Sequence, residues 1–130
     1  MSVFRDAEID YLASQRLARL ATVGPDGRPH VVPVAFRYNP DTDTIDIGGH
    51  GFAGRKKFRD VQRTGVAALV VDDVLPPWRP RAVEVRGDAR TLDSGGKAIH
   101  EDFDDPIIRI TPRRLVSWGL EDQLHARSVT

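Results

Sequence analysis

The chain has no cysteine among its 130 residues. This absence excludes a disulfide framework, a thiolate nucleophile and a thiolate metal site. Basic and acidic residues balance at 19 each, so the net charge offers no overall attraction to nucleic acid or to an anionic membrane. Aromatic residues make up only 7% of the chain, too few for the stacking surface of a protein that binds single-stranded nucleic acid. Any chemistry must therefore come from a local feature.

Long apolar runs are also missing. No segment approaches the length of a membrane span, and the N-terminus has no apolar signal core. We therefore expect a cytoplasmic protein without a membrane partner. The four histidines, His30, His50, His100 and His125, lack metal-ligand spacing, and no nucleophile elbow is present. The sequence predicts no metal site and leaves the catalytic residues unassigned. His100 and His125 are expected at the surface.

The most informative segment is a glycine-rich loop that ends in three consecutive cations. Gly48, Gly49, Gly51 and Gly54 precede Arg55, Lys56 and Lys57 at the start of a predicted helix. Glycines let a backbone approach a ligand closely, and the N–H groups at a helix start attract anions. The loop predicts a site for a phosphate or a polycarboxylate, and His50 within it is a candidate contact. The alternative is a plain glycine turn followed by a solvated basic helix.

Two familiar phosphate motifs fit this loop poorly. Residues 49–54 match the G-x-G-x-x-G dinucleotide pattern, but the preceding strand is predicted to be the second arm of a hairpin. Residues 49–56 resemble a P-loop, yet Arg55 replaces the required Lys, and Lys56 replaces the Ser or Thr that holds magnesium. Both interpretations are therefore disfavoured.

The pattern of apolar residues and turn signals predicts a mainly β chain with few helices. The predicted helices are Ala7–Gln15 and Arg55–Arg63, and the predicted strands are Arg16–Val23, His30–Tyr38, Thr44–Gly48, Val66–Val71, Arg81–Leu92, Ile107–Thr111 and Arg114–Trp118. Six to seven mostly antiparallel strands of this size favour a small β-barrel, because closure removes exposed sheet edges. We expect one domain over 1–130, with the barrel at about 16–119 and a loosely held tail at 120–130.

Three strand positions carry further expectations. Pro33 lies inside the second strand, which predicts an edge, a bulge or an open ladder there. Val66–Val71 is almost continuously apolar, as expected for a strand buried on both faces. Gly87 in the long strand predicts a bulge.

With this order of elements, the chain resembles the pyridoxamine 5′-phosphate oxidase-like split β-barrel family, also described as the FMN-binding split β-barrel. It looks most like the branch that uses the deazaflavin coenzyme F420. The resemblance covers roughly residues 3 to 120 and depends on the order and spacing of several segments together. These segments are residues 19–23, 26–34, 46–49, 55–61 and 83–89.

The resemblance implies where the cofactor would bind. Arg55 and Lys57 match the basic pair that holds the cofactor phosphate in the family, and Val32, Pro33 and Val34 match the segment beside the ring system. Trp78 is a candidate for the edge of the ring pocket. The predicted cofactor-binding set is therefore Val32, Pro33, Val34, Gly48, Gly49, His50, Arg55, Lys56, Lys57 and Trp78. Asp60 stands where many relatives have Asn, and we expect it to pair with Arg59.

The resemblance further implies a homodimer with two cofactor sites at the subunit interface. We expect the interface to involve the long strand Arg81–Leu92 and the C-terminal strands. The predicted activity is transfer of a hydride from reduced F420 to a conjugated small-molecule acceptor. Arg109, Arg113 or Arg114 would then contact the anionic tail of the cofactor. The alternatives are an oxidase or reductase that uses FMN, and a non-enzymatic carrier of flavin, deazaflavin or haem.

Overall fold

The computed structural model describes residues 1–121 and 124–129. The helices are α1 (Asp6–Ser14) and α2 (Lys56–Thr64), and the strands are β1 (Leu17–Val23), β2 (Pro29–Asn39), β3 (Thr44–Gly48), β4 (Val66–Leu75), β5 (Arg79–Leu92), β6 (Ile107–Trp118) and β7 (His125–Ser128). Short 3₁₀ turns lie at Phe52–Gly54 and Gly96–Ala98. The predicted elements are confirmed to within a few residues, except at the C-terminal end.

The sheet closes into a barrel. Its strand order is β3-β2-β1-β4-β5-β6-β7, and an additional pairing of β3 with β6 joins the two sides. All strand pairs in the described residues are antiparallel. The prediction of a mainly β split barrel is therefore confirmed. In the described part of the chain, no helix is long and apolar enough to cross a membrane.

The barrel interior is filled by alternate residues of its strands. Leu20, Ile47, Leu69, Val85 and Leu115 are each at most 1% exposed. Full burial of such a side chain stabilises the fold by about 1.5–3 kcal/mol. The two helices add their apolar faces to the same core, α1 through Tyr11 and Leu12 and α2 through Phe58 and Val61.

Strand β4 differs from the expectation. Its burial alternates along the chain, with Ala67, Leu69 and Val71 buried and Val66 45% exposed. The apolar run is therefore buried on one face, and the prediction of burial on both faces is wrong for the single chain. No described segment of this chain covers the outer face, since both helices pack elsewhere.

The strands predicted separately at Ile107–Thr111 and Arg114–Trp118 are joined, because residues 107–118 form one continuous strand. Pro112 has no backbone N–H to donate to the ladder, and it lies opposite Gly87, where the register shifts. A Cβ added at Gly87 would lie 2.0 Å from the carbonyl oxygen of Thr111, so only glycine fits this approach. The predicted bulge at Gly87 is confirmed. The register shift there accommodates Pro112 on the neighbouring strand.

The predicted loose tail is wrong for residues 124–129. This segment forms β7, whose Arg127 donates to the fully buried carboxylate of Glu8 in α1 at 2.6 Å. Ser117 Oγ also donates to Glu8 at 2.6 Å. The rest of the predicted tail, at 122–123 and 130, lies outside the described residues.

Candidate functional site

One side of β2 is open over its first half. Strand β1 pairs with β2 from Pro29 to Ala35, whereas β3 pairs with it only from Ala35 to Asn39. Residues 29–34 therefore have a strand neighbour on one side only. Pro33 lies in this stretch, which confirms the predicted open ladder.

The chain leaves the sheet after Gly48, and a cavity of about 500 Å³ forms between the glycine-rich loop, the open edge of β2 and the start of α2. The cavity is lined by His30, Val32, Pro33, Val34, Ala35, Gly48, Gly49, His50, Phe52, Arg55, Lys56, Lys57 and Phe103. Nine of the ten residues predicted from the sequence thus lie around one cavity. Their role in binding a cofactor stays a prediction.

Trp78 is the exception. It lies at the turn between β4 and β5, is 75% exposed and does not line this cavity. Within a single chain, the structure does not bring Trp78 to the other predicted site residues. A contact of Trp78 with the site of a second subunit stays a prediction.

Asp104 holds the glycine-rich loop in place from a distant part of the chain. Its backbone N–H donates to the carbonyl oxygen of Gly49 at 3.1 Å, and its carboxylate accepts from the N–H of Phe52 at 3.2 Å. Phe103 beside it packs edge-on against His50, with ring centroids 5.3 Å apart. Sequence reasoning missed Phe103 and Asp104, because the polar segment at 93–106 carries no motif. Phe103, the one phenylalanine in this segment, was the available sequence signal that part of the segment packs against the rest of the protein.

The three consecutive cations are not equivalent. Lys56 Nζ lies 2.8 Å from Asp60, which is 2% exposed and also accepts from Thr22 Oγ1 at 2.9 Å. Asp60 further pairs with Arg63 at 3.4 Å, so the expected pairing with Arg59 is wrong. The pairing follows helix geometry, since residues three or four apart lie on the same face and adjacent residues do not. Lys56 therefore has a carboxylate partner within the protein, which it shares with Arg63.

Arg55 and Lys57, in contrast, face no carboxylate among the described residues. The Arg55 guanidinium donates only long hydrogen bonds, of 3.3 and 3.4 Å, to the carbonyl oxygen of His50. Lys57 Nζ lies 5.4 Å from the centroid of the Phe52 ring. Burial lowers the pKa of Lys57, and the nearby charge of Arg55 lowers it further. An anion between these two cations would relieve their repulsion.

Two other features favour an anion at this position. Helix α2 has no side-chain cap at its N-terminus, so the N–H groups of its first turn remain available. His30 also lines the cavity, and its Nδ1 is buried without a hydrogen-bond partner in the described residues. Buried polar atoms normally have a partner. The site therefore fits a phosphate group, with an adjoining apolar wall formed by Val32 and Val34.

The arginines expected to contact a cofactor tail make other contacts. Arg109 forms a bidentate pair with the buried Asp46 at 2.8 and 3.1 Å. Arg113 pairs with Asp88 at 2.7 Å, and Arg114 donates to Ser128 at 3.3 Å. The ion pair between Arg109 and Asp46 therefore links β6 to β3.

Comparison with known proteins agrees with this architecture. The sequence profile of the pyridoxamine 5′-phosphate oxidase family matches residues 4–118. A 5a,11a-dehydrotetracycline/5a,11a-dehydrooxytetracycline reductase of Streptomyces rimosus subsp. rimosus is 44% identical over 98% of this chain and 94% of its own length. An F420H(2)-dependent biliverdin reductase of Mycobacterium tuberculosis is 34% identical over 49% of this chain and 45% of its own.

A solved structure shares the fold. The pyridoxamine 5′-phosphate oxidase-related, FMN-binding protein of Nostoc punctiforme superposes with a TM-score of 0.68, at 16% identity, over 100% of this chain and 98% of its own. The family profile covers most of the chain, and the barrel, the open edge of β2 and the basic start of α2 are consistent with it. This protein therefore belongs to the pyridoxamine 5′-phosphate oxidase family.

Proposed function

We propose that this oxidoreductase uses the reduced deazaflavin F420 to transfer a hydride to a conjugated, polycyclic small molecule. The observation that carries the proposal is the pair of cations, Arg55 and Lys57, that face no described carboxylate beside the open edge of β2. The likeness to a dehydrotetracycline reductase over nearly the whole chain supports the reaction type. The partial likeness to an F420H(2)-dependent reductase supports the cofactor.

The chain's own residues would contact this cofactor at two places, its phosphate group and its ring system. Arg55, Lys57 and the first turn of α2 would bind the phosphate, and His30 Nδ1 would gain a partner. Val32, Pro33 and Val34 would lie beside the ring system. The bound cofactor supplies the hydride, so the protein contributes orientation and electrostatics.

The apolar wall has a second role in this proposal. Val34 is 5% exposed, and Val32 is partly buried against the core. Side chains of this kind would exclude water from one face of the cavity. Ile47 on the neighbouring strand β3 is fully buried in the barrel core and does not line the cavity.

The preference for F420 over FMN is tested by parallel calorimetric titration of the cofactor-free protein. F420, FMN and NADPH are each titrated at one salt concentration. We expect F420 to bind most tightly and NADPH not to bind at the glycine-rich loop. Tightest binding of FMN would reassign the protein to flavin chemistry. Oxidation of reduced F420 in the presence of dehydrotetracycline then separates an enzyme from a carrier, since a carrier binds the cofactor without turnover.

We further propose that the protein acts as a homodimer. The outward face of β1, β2 and β4 carries exposed apolar side chains, with Leu17 49%, Val31 66% and Val66 45% exposed. The same face also carries one exposed ion pair, between Arg19 and Asp72 at 2.9 Å. Closed two-fold pairing of identical faces is the commonest way to cover such apolar positions, and β1, β2 and β4 would make the main contribution to the interface. The cytoplasmic location expected from the sequence also stays a prediction.

A further inference from the structure

A second cavity adjoins the first. It has a volume of about 510 Å³ and shares Ala35 and Phe103 with the cavity beside the basic helix. It lies between the residues that follow α1, the segment at 93–106 and the β2 residues Ala35 and Phe36. Ala35 and Phe103 line both cavities, so a molecule in the second cavity would be a direct neighbour of one in the first.

The walls of this second cavity combine flat apolar surfaces with hydrogen-bond donors. Phe36, Ile99 and Phe103 provide the apolar surfaces, and Gln15, Arg16 and His100 provide the polar groups. Its one formal cation is Arg16, which is exposed and forms no ion pair with any described residue. No carboxylate lines the cavity. This combination fits a planar, oxygen-rich molecule that carries or develops negative charge.

His100 is oriented by its own loop. Its Nδ1 accepts a hydrogen bond from the backbone N–H of Asp102 at 3.1 Å, and its ring packs against Phe103 with centroids 5.1 Å apart. A neutral imidazole whose Nδ1 accepts must carry its proton on Nε2. His100 is thus a donor through Nε2 at the wall of the cavity.

We propose that this second cavity binds the acceptor, a planar polycyclic enone whose rings pack on Phe36 and Phe103 and whose carbonyl oxygen is held by Arg16 and His100. The inference rests on the proposed function, and it assigns to the chain a specificity site that lies apart from the basic loop. Arg16 and His100 are substrate-binding residues in this assignment.

The two donors also suit the charge that develops during reduction. Addition of a hydride to the β-carbon of the C=C–C=O group would shift the electron pair of the C=C bond, so that the carbonyl oxygen becomes an enolate. A bound reduced deazaflavin would supply the hydride and with it the two electrons. Protonation of the α-carbon by water would complete the reduction and release hydroxide. Donors aimed at the oxygen stabilise the transition state because they meet the charge where it forms.

The test measures binding without turnover. Tetracycline, a stable four-ring compound with enolic oxygens, is titrated calorimetrically into the full-length protein in the presence of oxidised F420. We expect Arg16→Ala to raise the dissociation constant for tetracycline about tenfold, as for loss of a charge-assisted hydrogen bond. His100→Ala should weaken binding in the same direction, with His100→Gln closer to the wild type because the amide keeps a donor. The dissociation constant for F420 should change less than about twofold.

Arg90→Ala is the matched control, because Arg90 is exposed on β5, forms no ion pair with the described residues and does not line either cavity. It should change neither constant, and thermal unfolding of every variant should match the wild type. Unchanged tetracycline binding in Arg16→Ala and His100→Ala, or no tetracycline binding by the wild type, would overturn the assignment. Failure of F420 to bind, with tetracycline binding still sensitive to Arg16→Ala, would instead overturn the proposed cofactor and leave the cavity assigned.

Discussion

Lys57 and Arg55 differ from the neighbouring Lys56 in one physical respect, the position of the nearest carboxylate. Asp60 pairs with Lys56 at 2.8 Å, whereas no described carboxylate faces the other two cations. Lys56 and Lys57 are both within one helical turn of Asp60, but the Lys57 ammonium group lies over the Phe52 ring instead. The sequence shows three adjacent charges, and the contacts of the folded side chains distinguish them.

Replacing Lys57 by Ala should weaken cofactor binding without unfolding the barrel. A charge-assisted hydrogen bond contributes about 1.5–3 kcal/mol, so we expect the dissociation constant to rise about tenfold or more in a calorimetric titration. Arg90→Ala serves again as the control that removes a cation elsewhere. An unchanged constant in Lys57→Ala would mean that the basic helix start is only a solvated surface.

Cofactor affinity should also depend on pH through Lys57. Burial and the charge of Arg55 lower the pKa of this ammonium group, and a bound phosphate favours its charged form. Affinity should therefore fall as pH rises through the lowered pKa, starting below the range of an ordinary lysine. Titrations across alkaline pH check this dependence. Lys57→Arg should flatten it, because arginine stays protonated, and an equally steep dependence in that variant would assign the effect to another group.

At the scale of secondary-structure elements, buried carboxylates hold the helices to the barrel. Asp60 connects α2 to β1 through Thr22, and Glu8 connects α1 to β7 through Arg127. Burial alone raises the pKa of each acid, but their hydrogen bonds outweigh it and lower the pKa below its usual value. These acids therefore stabilise the fold at neutral pH, and their contribution is lost as pH falls through the lowered pKa values.

Asp60→Asn should lower the free energy of unfolding by about 1–3 kcal/mol at neutral pH, since Lys56 and Arg63 lose their charged partner. The variant should also lose less stability than the wild type when pH is lowered through the acidic range, because the group that titrates is absent. Urea unfolding at a series of pH values measures both effects. Parallel stability curves for the two proteins would show that Asp60 is not linked to acid unfolding.

Arg127→Ala should be more damaging, because it leaves the fully buried Glu8 without its cation. Loss of one partner of a buried ion pair typically costs about 3–5 kcal/mol. Thermal unfolding should show the decrease, and hydrogen exchange should show faster exchange in β7 than in β5. The double variant Arg127→Ala/Glu8→Gln should recover part of the loss. A single variant as stable as the wild type would mean that β7 is held by its backbone pairing with β6 alone.

At the scale of the whole molecule, the barrel has an apolar outer surface on β1, β2 and β4 that the described part of the chain does not cover. Of these three strands, β2 also lines the candidate site, through Val32, Pro33 and Val34. Association through this surface would therefore bring a partner subunit close to β2 and its site. The exposed Trp78 at the β4–β5 turn is the first residue to test for a contact across the interface.

Val66→Asp should dissociate the proposed dimer, because burying an unpaired carboxylate at an apolar interface is strongly unfavourable. Sedimentation velocity at micromolar concentration should show a dimer for the wild type and a monomer for the variant. Ala126→Asp, on the exposed face of β7, is the control and should remain dimeric. A wild-type protein that sediments as a monomer with cofactor bound would refute the dimer.

Local sequence signals were sufficient for much of the fold. Turn residues and strand periodicity predicted most strand limits, and Gly87 and Pro33 predicted irregular pairing that the structure contains. The error at Val66–Val71 had a different origin. An apolar run shows only which side chains a strand carries. Whether both faces of the strand are buried depends on the elements that pack against it, and these are specified elsewhere in the chain.

The candidate site likewise has some features that follow from local sequence and others that depend on the tertiary structure. The sequence by itself determined that glycines and three cations meet at a helix start, and it predicted an anion site there because such an arrangement favours anions. Only the tertiary structure decided that Asp104 holds the loop in place and that Phe103 borders two cavities. These contacts join residues far apart in the chain, such as Phe52 and Asp104 at a separation of 52 positions. Chain-local propensities carry no information about such distances, so the packed barrel alone could reveal them.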